Sequence, residues 1–350
     1  MPTLRCMVEG ECFMLVTCAG ILVVDLIAAG LPKISSPGEI TYVSEGIKVH
    51  MGGHCGNVSI DLRKLGIREG DVSATGAVGE DIFGDFLERL LEENGVKANL
   101  QRVPEAGTSK DLILVASGED RRFHVDVGAN LYLDPEYVIK VLEEEKPRIF
   151  YAGGVGMTKR LDGHLSRVLQ KARDIGCLTF IDPVRPYMHG WNFIREAMKW
   201  ISIFHCNADE SRELTGRKDP REAAVALKKR GADIVIVSLG EDGLVAVSEK
   251  AIFEMPAFKV PVVDPTGAGD ALCAGIIHGI LEAMGRGRLE ASLIPEEDLV
   301  TILMEGEAAG ASCVTAIGTT TAVTIENVSR ILEEQGEEIR SRGLKIRPLK

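Results

Sequence analysis

Three patterns that mark common classes of enzyme are absent from the 350 residues of this sequence. Glycine is nowhere followed by lysine, so the sequence has no Walker A loop for binding phosphates. It also has no Gly-x-Gly-x-x-Gly fingerprint, which disfavours a nicotinamide-dependent dehydrogenase. The eight cysteines include no Cys-x-x-Cys pair, and the histidines include no pair at metal spacing, so no zinc-binding pattern is present.

The sequence also lacks a long uninterrupted apolar run and an excess of positive charge. The apolar segment 12–30 is interrupted by Gly20 and Asp25, and it follows Glu9 and Glu11, where a signal peptide would carry positive charge. We therefore expect a buried strand, no membrane contact and a cytoplasmic protein, although the sequence does not decide whether any cysteines form disulfides. The net charge of −12 provides no positive field for a nucleic-acid backbone, so we expect no nucleic-acid partner.

What is present is the composition and patterning of an α/β protein. Hydrophobic residues make up 45% of the chain and charged residues 26%, as in a soluble globular enzyme. From Pro135 onward, short apolar runs alternate with helical patterns, which predicts a parallel sheet with helices on both faces. The segments 27–49 and 108–129, the second with a polar turn at 117–120, alternate with period two and predict β-excursions attached to this sheet.

The most informative stretch is 262–272, Val-Val-Asp-Pro-Thr-Gly-Ala-Gly-Asp-Ala-Leu, which predicts a strand, a turn and a helix start. The first amides of a helix lack intrahelical partners and attract anions, and Gly267 and Gly269 would let an anion approach the backbone. Asp270 would then stand beside the anion as a carboxylate able to accept a proton. An aspartate here is also a common helix cap. Anion binding beside a base is what phosphoryl transfer to an alcohol requires.

Other polar residues follow predicted strands or begin predicted helices. In parallel α/β sheets, ligands bind outside the carboxyl ends of the strands. The candidates are Asp25; Gly52-Gly53 with Asn57; Asp182 with Arg185; Asn207 with Glu210; and Ser238, Gly240 and Gly243. A capping box explains Asn207 and Glu210 equally well. His54 has no partner at metal spacing, so we interpret it as a bystander.

Taken in chain order, these motifs resemble the PfkB-type (ribokinase-like) carbohydrate kinases over nearly the whole chain. Asp264-x-Thr-Gly-x-Gly-Asp270 is highly specific, and Gly52-Gly53-x-x-x-Asn57 and Asn207-x-x-Glu210 support it. The family often has Ala where this chain has Val58. The resemblance implies a Rossmann-like parallel-sheet sandwich with a small β-sheet lid. Its implied parts are a core of 12–26, 50–107 and 130–340, a lid of 27–49 and 108–129, and terminal extensions 1–11 and 341–350.

The resemblance also implies a role for each matched residue. Asp270 would deprotonate the acceptor hydroxyl, and the amides of Gly267, Ala268 and Gly269 would form an anion hole. The residues implied for the sugar are Asp25, Gly53 and Asn57, with Asp182 and Arg185 added from their position. Those implied for Mg²⁺ and ATP are Asn207, Glu210, Ser238, Gly240, Gly243, Ile317 and Gly318. Asp264, Thr266 and Gly318 match places where some members bind a monovalent cation such as K⁺.

The acceptor stays open at this point. Asp182-Pro-x-Arg185-Pro resembles fructokinases and ketodeoxygluconate kinases, which favours a small sugar, and the lid has few aromatic residues for stacking a nucleoside. A phosphate already on the substrate could instead bind to Lys110, Arg121, Arg122 or Arg185. The sequence does not exclude ADP as the donor, nor a non-catalytic nucleotide-binding regulator with this fold. An exposed sheet edge in the lid would allow a homodimer.

Overall fold

The computed structural model of this chain describes residues 14–117, 121–285 and 290–349. The expected extension 1–11 and most of the expected polar turn, 118–120, lie outside these residues. The described strands are β1 (Val16–Gly20), β2 (Val23–Leu31), β3 (Ile47–Gly52), β4 (Val72–Gly79), β5 (Lys97–Val103), β6 (Lys110–Ala116), β7 (Arg122–Asp126), β8 (Ile149–Val155), β9 (Leu178–Pro183), β10 (Ile203–Asn207), β11 (Ile234–Ser238), β12 (Leu244–Val247), β13 (Ala251–Met255) and β14 (Lys345–Pro348).

Helices alternate with most of these strands. They are α1 (His54–Lys64), α2 (Ile82–Glu93), α3 (Pro135–Glu145), α4 (Lys159–Asp162), α5 (Leu165–Asp174), α6 (Asn192–Ala197), α7 (Ala208–Thr215), α8 (Pro220–Lys228), α9 (Ala268–Met284), α10 (Glu296–Cys313) and α11 (Ile325–Glu338). None of the described helices has both the length and the apolar character needed to cross a membrane. The described cysteines are buried and free; they are Cys18, Cys55, Cys177, Cys206, Cys273 and Cys313.

A large sheet with helices on both faces forms the core, as predicted. Its order is β14-β13-β12-β11-β10-β9-β8-β1-β4-β5, and the strands from β11 to β5 are parallel. One apolar layer packs α1, α2, α9, α10 and α11 on the sheet. A second layer packs α3, α5, α6 and α8 on the opposite face. The carboxyl ends of the parallel strands therefore meet at one edge, where ligands bind in such folds.

A separate sheet, the lid, has the order β3-β2-β6-β7. We predicted one strand through Phe13–Val24, but the chain turns after β1 and enters the lid at Val23. Gly20 makes this turn, with a φ of 132°, and a Cβ there would lie 1.8 Å from the carbonyl oxygen of Gly153. The lid sheet therefore begins before the expected boundary at residue 27.

The structure differs from two further sequence predictions. The valines at 262–263 form no strand, because the amides of Val263 and Asp264 donate to the Val314 carbonyl at 2.7 and 3.2 Å, which ties this segment to the end of α10 and not to the sheet. The C-terminal extension 341–350 contains β14, which pairs with β13 as the edge strand of the large sheet. The tail is thus part of the core sheet.

Candidate active site

The start of α9 lines a cleft of about 1230 Å³. Gly267 precedes the helix with a φ of 84°, and a Cβ there would lie 2.8 Å from the Cβ of Thr319. Both the backbone conformation and the close contact therefore require glycine. At Gly269 a Cβ would meet only the His205 ring, at 3.7 Å, so this position is open to the cleft. Gly267, Ala268 and Gly269, whose amides the sequence predicted for an anion, thus line the cleft, and the Ala268 amide lies 3.4 Å from the Pro265 carbonyl oxygen.

Asp270 lies in the first turn of α9 with its carboxylate held in a defined orientation. Its Oδ2 accepts a hydrogen bond from Asn57 Nδ2 at 2.7 Å, and Thr319 Oγ1 donates to Asn57 Oδ1 at 2.8 Å. The hydroxyl of Thr319 therefore fixes which end of the Asn57 amide faces Asp270. Burial raises the pKa of Asp270, and His54 and the Asn57 hydrogen bond oppose that rise.

His54 belongs to this cluster, and our interpretation of it as a bystander was wrong. Its Nε2 lies 4.0 Å from Asp182 Oδ2 and 4.0 Å from Asp270 Oδ1. Burial would lower the pKa of His54, but the two carboxylates outweigh it and raise the pKa. No sequence pattern indicated this cluster, since the three residues come from separate segments. A protonated His54 would reduce the repulsion between the two carboxylates.

Asp182 forms a second buried pair behind Asp270. His205 Nδ1 lies 2.7 Å from Asp182 Oδ1, and the Tyr151 hydroxyl donates to Asp182 Oδ2 at 3.1 Å. Burial opposes ionisation of Asp182, but the charge and hydrogen bond of His205 hold its pKa below the usual range. The same carboxylate raises the pKa of His205 against the effect of burial. These hydrogen bonds hold Asp182 in a fixed orientation in the wall of the cleft.

Two carboxylates of the lid face the cleft from above. Asp25 on β2 is in register with Asp111 on β6, and both side chains line the cleft. Burial, with Asp111 as the next cause, raises the pKa of Asp25 to about 7. A Cβ at Gly52 would lie 2.3 Å from Asp25 Oδ2, and Gly53 turns with a φ of 86°. The paired glycines thus make room for Asp25 and for the start of α1.

The far end of the cleft contains the residues that the resemblance assigned to a nucleotide. Ser238, Gly240 and Gly243 line it, and a Cβ at Gly243 would lie 2.0 Å from the Met255 carbonyl oxygen, so a side chain cannot fit there. Asn207 and Glu210 also line it. They form the capping box of α7, with hydrogen bonds of 2.9 and 3.0 Å. Burial raises the pKa of Glu210 to about 7.

Some predicted site residues lie elsewhere. Arg185 is exposed and pairs with Glu213 Oε1 at 2.9 Å, and among the described residues it is not part of the cleft wall. Ile317 and Gly318 line a smaller cavity of about 260 Å³ under the lid, together with Asp264 and Thr266. This cavity adjoins the cleft, because Pro265, Thr266 and Thr319 line both.

Several cleft residues were missed from the sequence. They are His205, Thr319, Asp111 and Glu307. Asp111 and Ile113 are two residues apart on β6 and lie on the same face, which lines the cleft. This period-two pattern could have identified Asp111. Glu307 is buried in the middle of α10, where burial raises its pKa to about 8, and nothing in the helical pattern marks it.

Comparisons with known proteins agree with this arrangement. The family model described as "pfkB family carbohydrate kinase" matches residues 14–326. The chain is 30% identical over 287 residues to aminoimidazole riboside kinase of Salmonella typhimurium, which covers 78% of this chain and 84% of that protein. The family match extends from β1 to the start of α11.

Solved structures show the same fold. Fructokinase from Xylella fastidiosa with bound ATP superposes with a TM-score of 0.76 at 22% identity, covering 92% of this chain and 98% of that one. A protein assigned to ribokinase II from E. coli, in complex with ATP and Mg²⁺, gives 0.76 at 18% identity, covering 92% and 100%. The ribokinase-like sandwich with a small lid is therefore confirmed. From the family match and the relative of 30% identity, this chain belongs to the pfkB family of carbohydrate kinases.

Proposed function

We propose that this kinase transfers the γ-phosphoryl group of ATP to a hydroxyl of a small, uncharged sugar, with Asp270 as the general base. One observation carries the proposal. The oriented carboxylate of Asp270 and the first amides of α9 line one cleft, between the lid carboxylates and the Ser238–Gly243 turn. An acceptor bound under the lid would place its hydroxyl between the base and a phosphate on the amides.

The proposed chemistry asks the protein mainly to position groups and to stabilise charge. Asn57 occupies Oδ2 of Asp270, which leaves Oδ1 to receive the proton of the acceptor hydroxyl. The amides of Gly267, Ala268 and Gly269 would bind the phosphoryl oxygens as negative charge is redistributed during transfer. Loss of such a base lowers the rate by ~10²–10⁴-fold.

ATP and Mg²⁺ are proposed as cofactors because the donor set fits them. Glu210 and Asn207 offer carboxylate and amide oxygens, the ligands that Mg²⁺ prefers and usually contacts partly through water. When bound, Mg²⁺ would neutralise charge on the phosphates. Ser238, Gly240 and Gly243 would then bind the nucleotide at the open end of the cleft. ADP is the second candidate donor.

The charges of the cleft favour an uncharged acceptor over a sugar phosphate. Asp25 and Asp111 of the lid and Asp182 and Asp270 of the core line the same cleft, where they would repel a phosphate. Two of the cationic side chains considered for a substrate phosphate form ion pairs outside the cleft. Lys110 pairs with Asp126 at 3.0 Å, and Arg185 pairs with Glu213. Carboxylates are instead suited to the hydroxyls of a sugar.

A nucleoside or other riboside is the second candidate acceptor. Phe123 and Val125 on β7 line the cleft while remaining about half exposed, which offers an apolar surface to a flat ring. The similarity to aminoimidazole riboside kinase supports the same possibility. Phe123 is the residue whose loss would separate the two candidates, because a sugar alone has no ring to stack on it.

The test is a panel of acceptors with MgATP and with MgADP. The panel contains fructose, ribose, ketodeoxygluconate, fructose 6-phosphate, adenosine and aminoimidazole riboside. We expect turnover of a sugar, with kcat/KM for fructose 6-phosphate at least about tenfold lower, since each 1.4 kcal/mol of repulsion is tenfold. Preference for a riboside, abolished in Phe123→Ala, would favour the second candidate. No turnover of any acceptor with either donor would contradict the proposal and favour a non-catalytic regulator.

We also propose that the lid forms a homodimer contact. The face of the lid that points away from the cleft exposes Ile47, Val49 and Leu112, and β3 and β7 are edge strands of the four-stranded sheet. Exposed apolar side chains on an open sheet edge favour pairing with a second copy. A dimer would bury these side chains without blocking the cleft.

A further inference from the structure

A cation of the lid lies at the place that the resemblance implies for K⁺. Arg121, just before β7, donates through Nη1 to Asp264 Oδ1 at 2.8 Å and also contacts Thr266 Oγ1. The two side chains of this ion pair are 21% and 16% exposed. The pair is therefore mostly shielded from water, unlike surface ion pairs, which contribute little.

Little room is left for a second cation at Asp264. Besides the guanidinium, Oδ1 accepts the Thr266 amide at 3.0 Å and the Thr266 hydroxyl at 2.6 Å, while the Gly318 amide lies 3.5 Å from Oδ2. A K⁺ ion would need these carboxylate oxygens as ligands and would be repelled by the guanidinium already paired with them. With Arg121 in place, Asp264, Thr266 and Gly318 do not fit a monovalent cation.

The ion pair connects the lid to the turn that prepares α9. Asp264 and Thr266 belong to the segment directly before Gly267, and Cys313 Sγ donates to the Thr266 carbonyl. Arg121, Asp264 and Thr266 line the smaller cavity together with Ile27 and Ile113 of the lid. The guanidinium carbon also lies 5.7 Å from the centre of the Phe123 ring, which supports its position.

We propose that Arg121 is a positioning residue that supplies this cation from within the chain, so that the kinase needs no K⁺. Its charge neutralises Asp264 and holds the Asp264–Thr266 turn, and through that turn it sets the amides at the start of α9. The kinetic test of this inference rests on the proposed function, because it requires an acceptor that the enzyme phosphorylates. The inference predicts that cation dependence, absent in the wild type, appears when Arg121 is truncated.

The kinetic test compares K⁺, Na⁺ and tetramethylammonium chlorides at equal ionic strength. We expect kcat/KM of the wild type to change less than about twofold among them, since the charge is already present. Arg121→Ala should lose about 10²-fold in tetramethylammonium, as displaced positioning groups do. K⁺ or added guanidinium should restore part of that loss, and Arg121→Lys should retain more activity than Arg121→Ala. Arg167→Ala, which removes an exposed charge on α5, is the matched control.

Either of two kinetic results would overturn the inference. The first is a wild type stimulated about tenfold by K⁺ over tetramethylammonium, which would show that the site binds the ion itself. The second is an Arg121→Ala variant whose loss is restored by neither K⁺ nor guanidinium, which would reduce Arg121 to a structural contact.

A readout without substrate separates this inference from the proposed function. K⁺ should leave the Tm of the wild type unchanged relative to tetramethylammonium and should raise that of Arg121→Ala, because an ion that binds only the folded state stabilises it. A wild-type Tm that K⁺ raises would contradict the inference even if no acceptor were found. If Arg121→Ala does not fold, the Tm of Arg121→Lys and of the wild type is measured in the same salts. A wild-type Tm that K⁺ does not change supports the inference, and one that K⁺ raises contradicts it.

Discussion

At the scale of single residues, the hydrogen bond from Asn57 sets the properties of Asp270. A buried carboxylate prefers to be protonated, and a general base must be ionised to accept a proton. Asn57 donates to the ionised form, and His54 adds positive charge nearby, so both oppose the effect of burial. The proposed base therefore depends on side chains from α1 as well as on its own helix.

Replacing Asn57 should move the pH dependence of the reaction. Asn57→Ala removes a hydrogen bond that lowers the pKa of Asp270, so the pKa rises and the base is protonated over a wider acidic range. The acidic limb of the kcat/KM profile should shift to higher pH by about one to two units, because hydrogen bonds to charged groups contribute about 1.5–3 kcal/mol and one unit corresponds to about 1.4 kcal/mol. An acidic limb unchanged from the wild type would contradict this role. Asn192→Ala, at an exposed site, is the control.

Asp25 should make stability depend on pH in a defined direction. Its folded pKa of about 7 exceeds the ordinary value of 3.8, so between these values the folded state holds a proton that the unfolded state has lost. The contribution of Asp25 to the free energy of unfolding should therefore fall as pH rises from about 4 to about 7. Asp25→Asn cannot ionise, so it should be more stable than the wild type by about 1–3 kcal/mol near pH 8 and not near pH 4.

Urea unfolding of both proteins at the two pH values measures this difference. An equal difference at both would contradict the assignment to ionisation of Asp25. The acceptor should also bind more weakly to Asp25→Asn, since an amide replaces a carboxylate on the proposed sugar site.

At the scale of elements, the turn into α9 combines two glycines with different constraints. Gly267 has a left-handed backbone and no room for a Cβ. Gly269 is helical, and a Cβ there would lie 3.7 Å from the His205 ring. Folding therefore requires glycine at position 267, and we infer that catalysis requires it at position 269. The two substitutions to alanine should separate folding from catalysis.

Gly269→Ala should keep or slightly raise the Tm, because alanine is favoured over glycine inside a helix by about 0.5–1 kcal/mol. Its activity should fall sharply, since the methyl group would occupy the space proposed for the phosphoryl oxygens. Gly267→Ala should lower both Tm and activity. Thermal unfolding and kcat, measured on both variants, give the comparison. A fully active Gly269→Ala variant would show that no anion approaches this amide.

The elements themselves were largely predictable from the sequence. The alternation of apolar runs and helical patterns from Pro135 onward is a local signal, and the structure follows it. The exceptions arose from long-range contacts. The valines at 262–263 have the local pattern of a strand, yet their partner is the end of α10, and β14 exists because the chain returns to an open edge beside β13.

The site residues show the same difference between local signals, which the sequence reveals, and long-range contacts, which it does not. Asp270, Gly267 and Gly269 could be named because one contiguous motif contains them. His54 and Thr319 could not, because their roles depend on Asp270 and Asn57 from other segments. Arg185 was expected at the substrate because it follows β9, but its side chain turns toward Glu213 on α7.

At the scale of the whole molecule, the lid covers one end of the cleft and leaves its outer face apolar. Val49 and Ile47 are 45% and 62% exposed there. We expect the protein to be a dimer by light scattering after size exclusion, and Val49→Lys to be a monomer, because a charge would have to be buried against a second apolar lid. Arg330→Ala, at an exposed position on α11, should remain dimeric. A wild type that is monomeric at all concentrations would contradict the lid contact.

The measurement that tests the account most directly is the kinetics of Asp270→Asn on the acceptor that the panel identifies. We predict that kcat falls by ~10²–10⁴-fold, as for loss of a general base. The acceptor should still bind the variant, by calorimetry, within a few-fold of the wild-type affinity. Asp209→Asn, at an exposed position on α7, should behave as the wild type. An Asp270→Asn enzyme with the wild-type kcat would show that another group accepts the proton and would contradict the proposed mechanism.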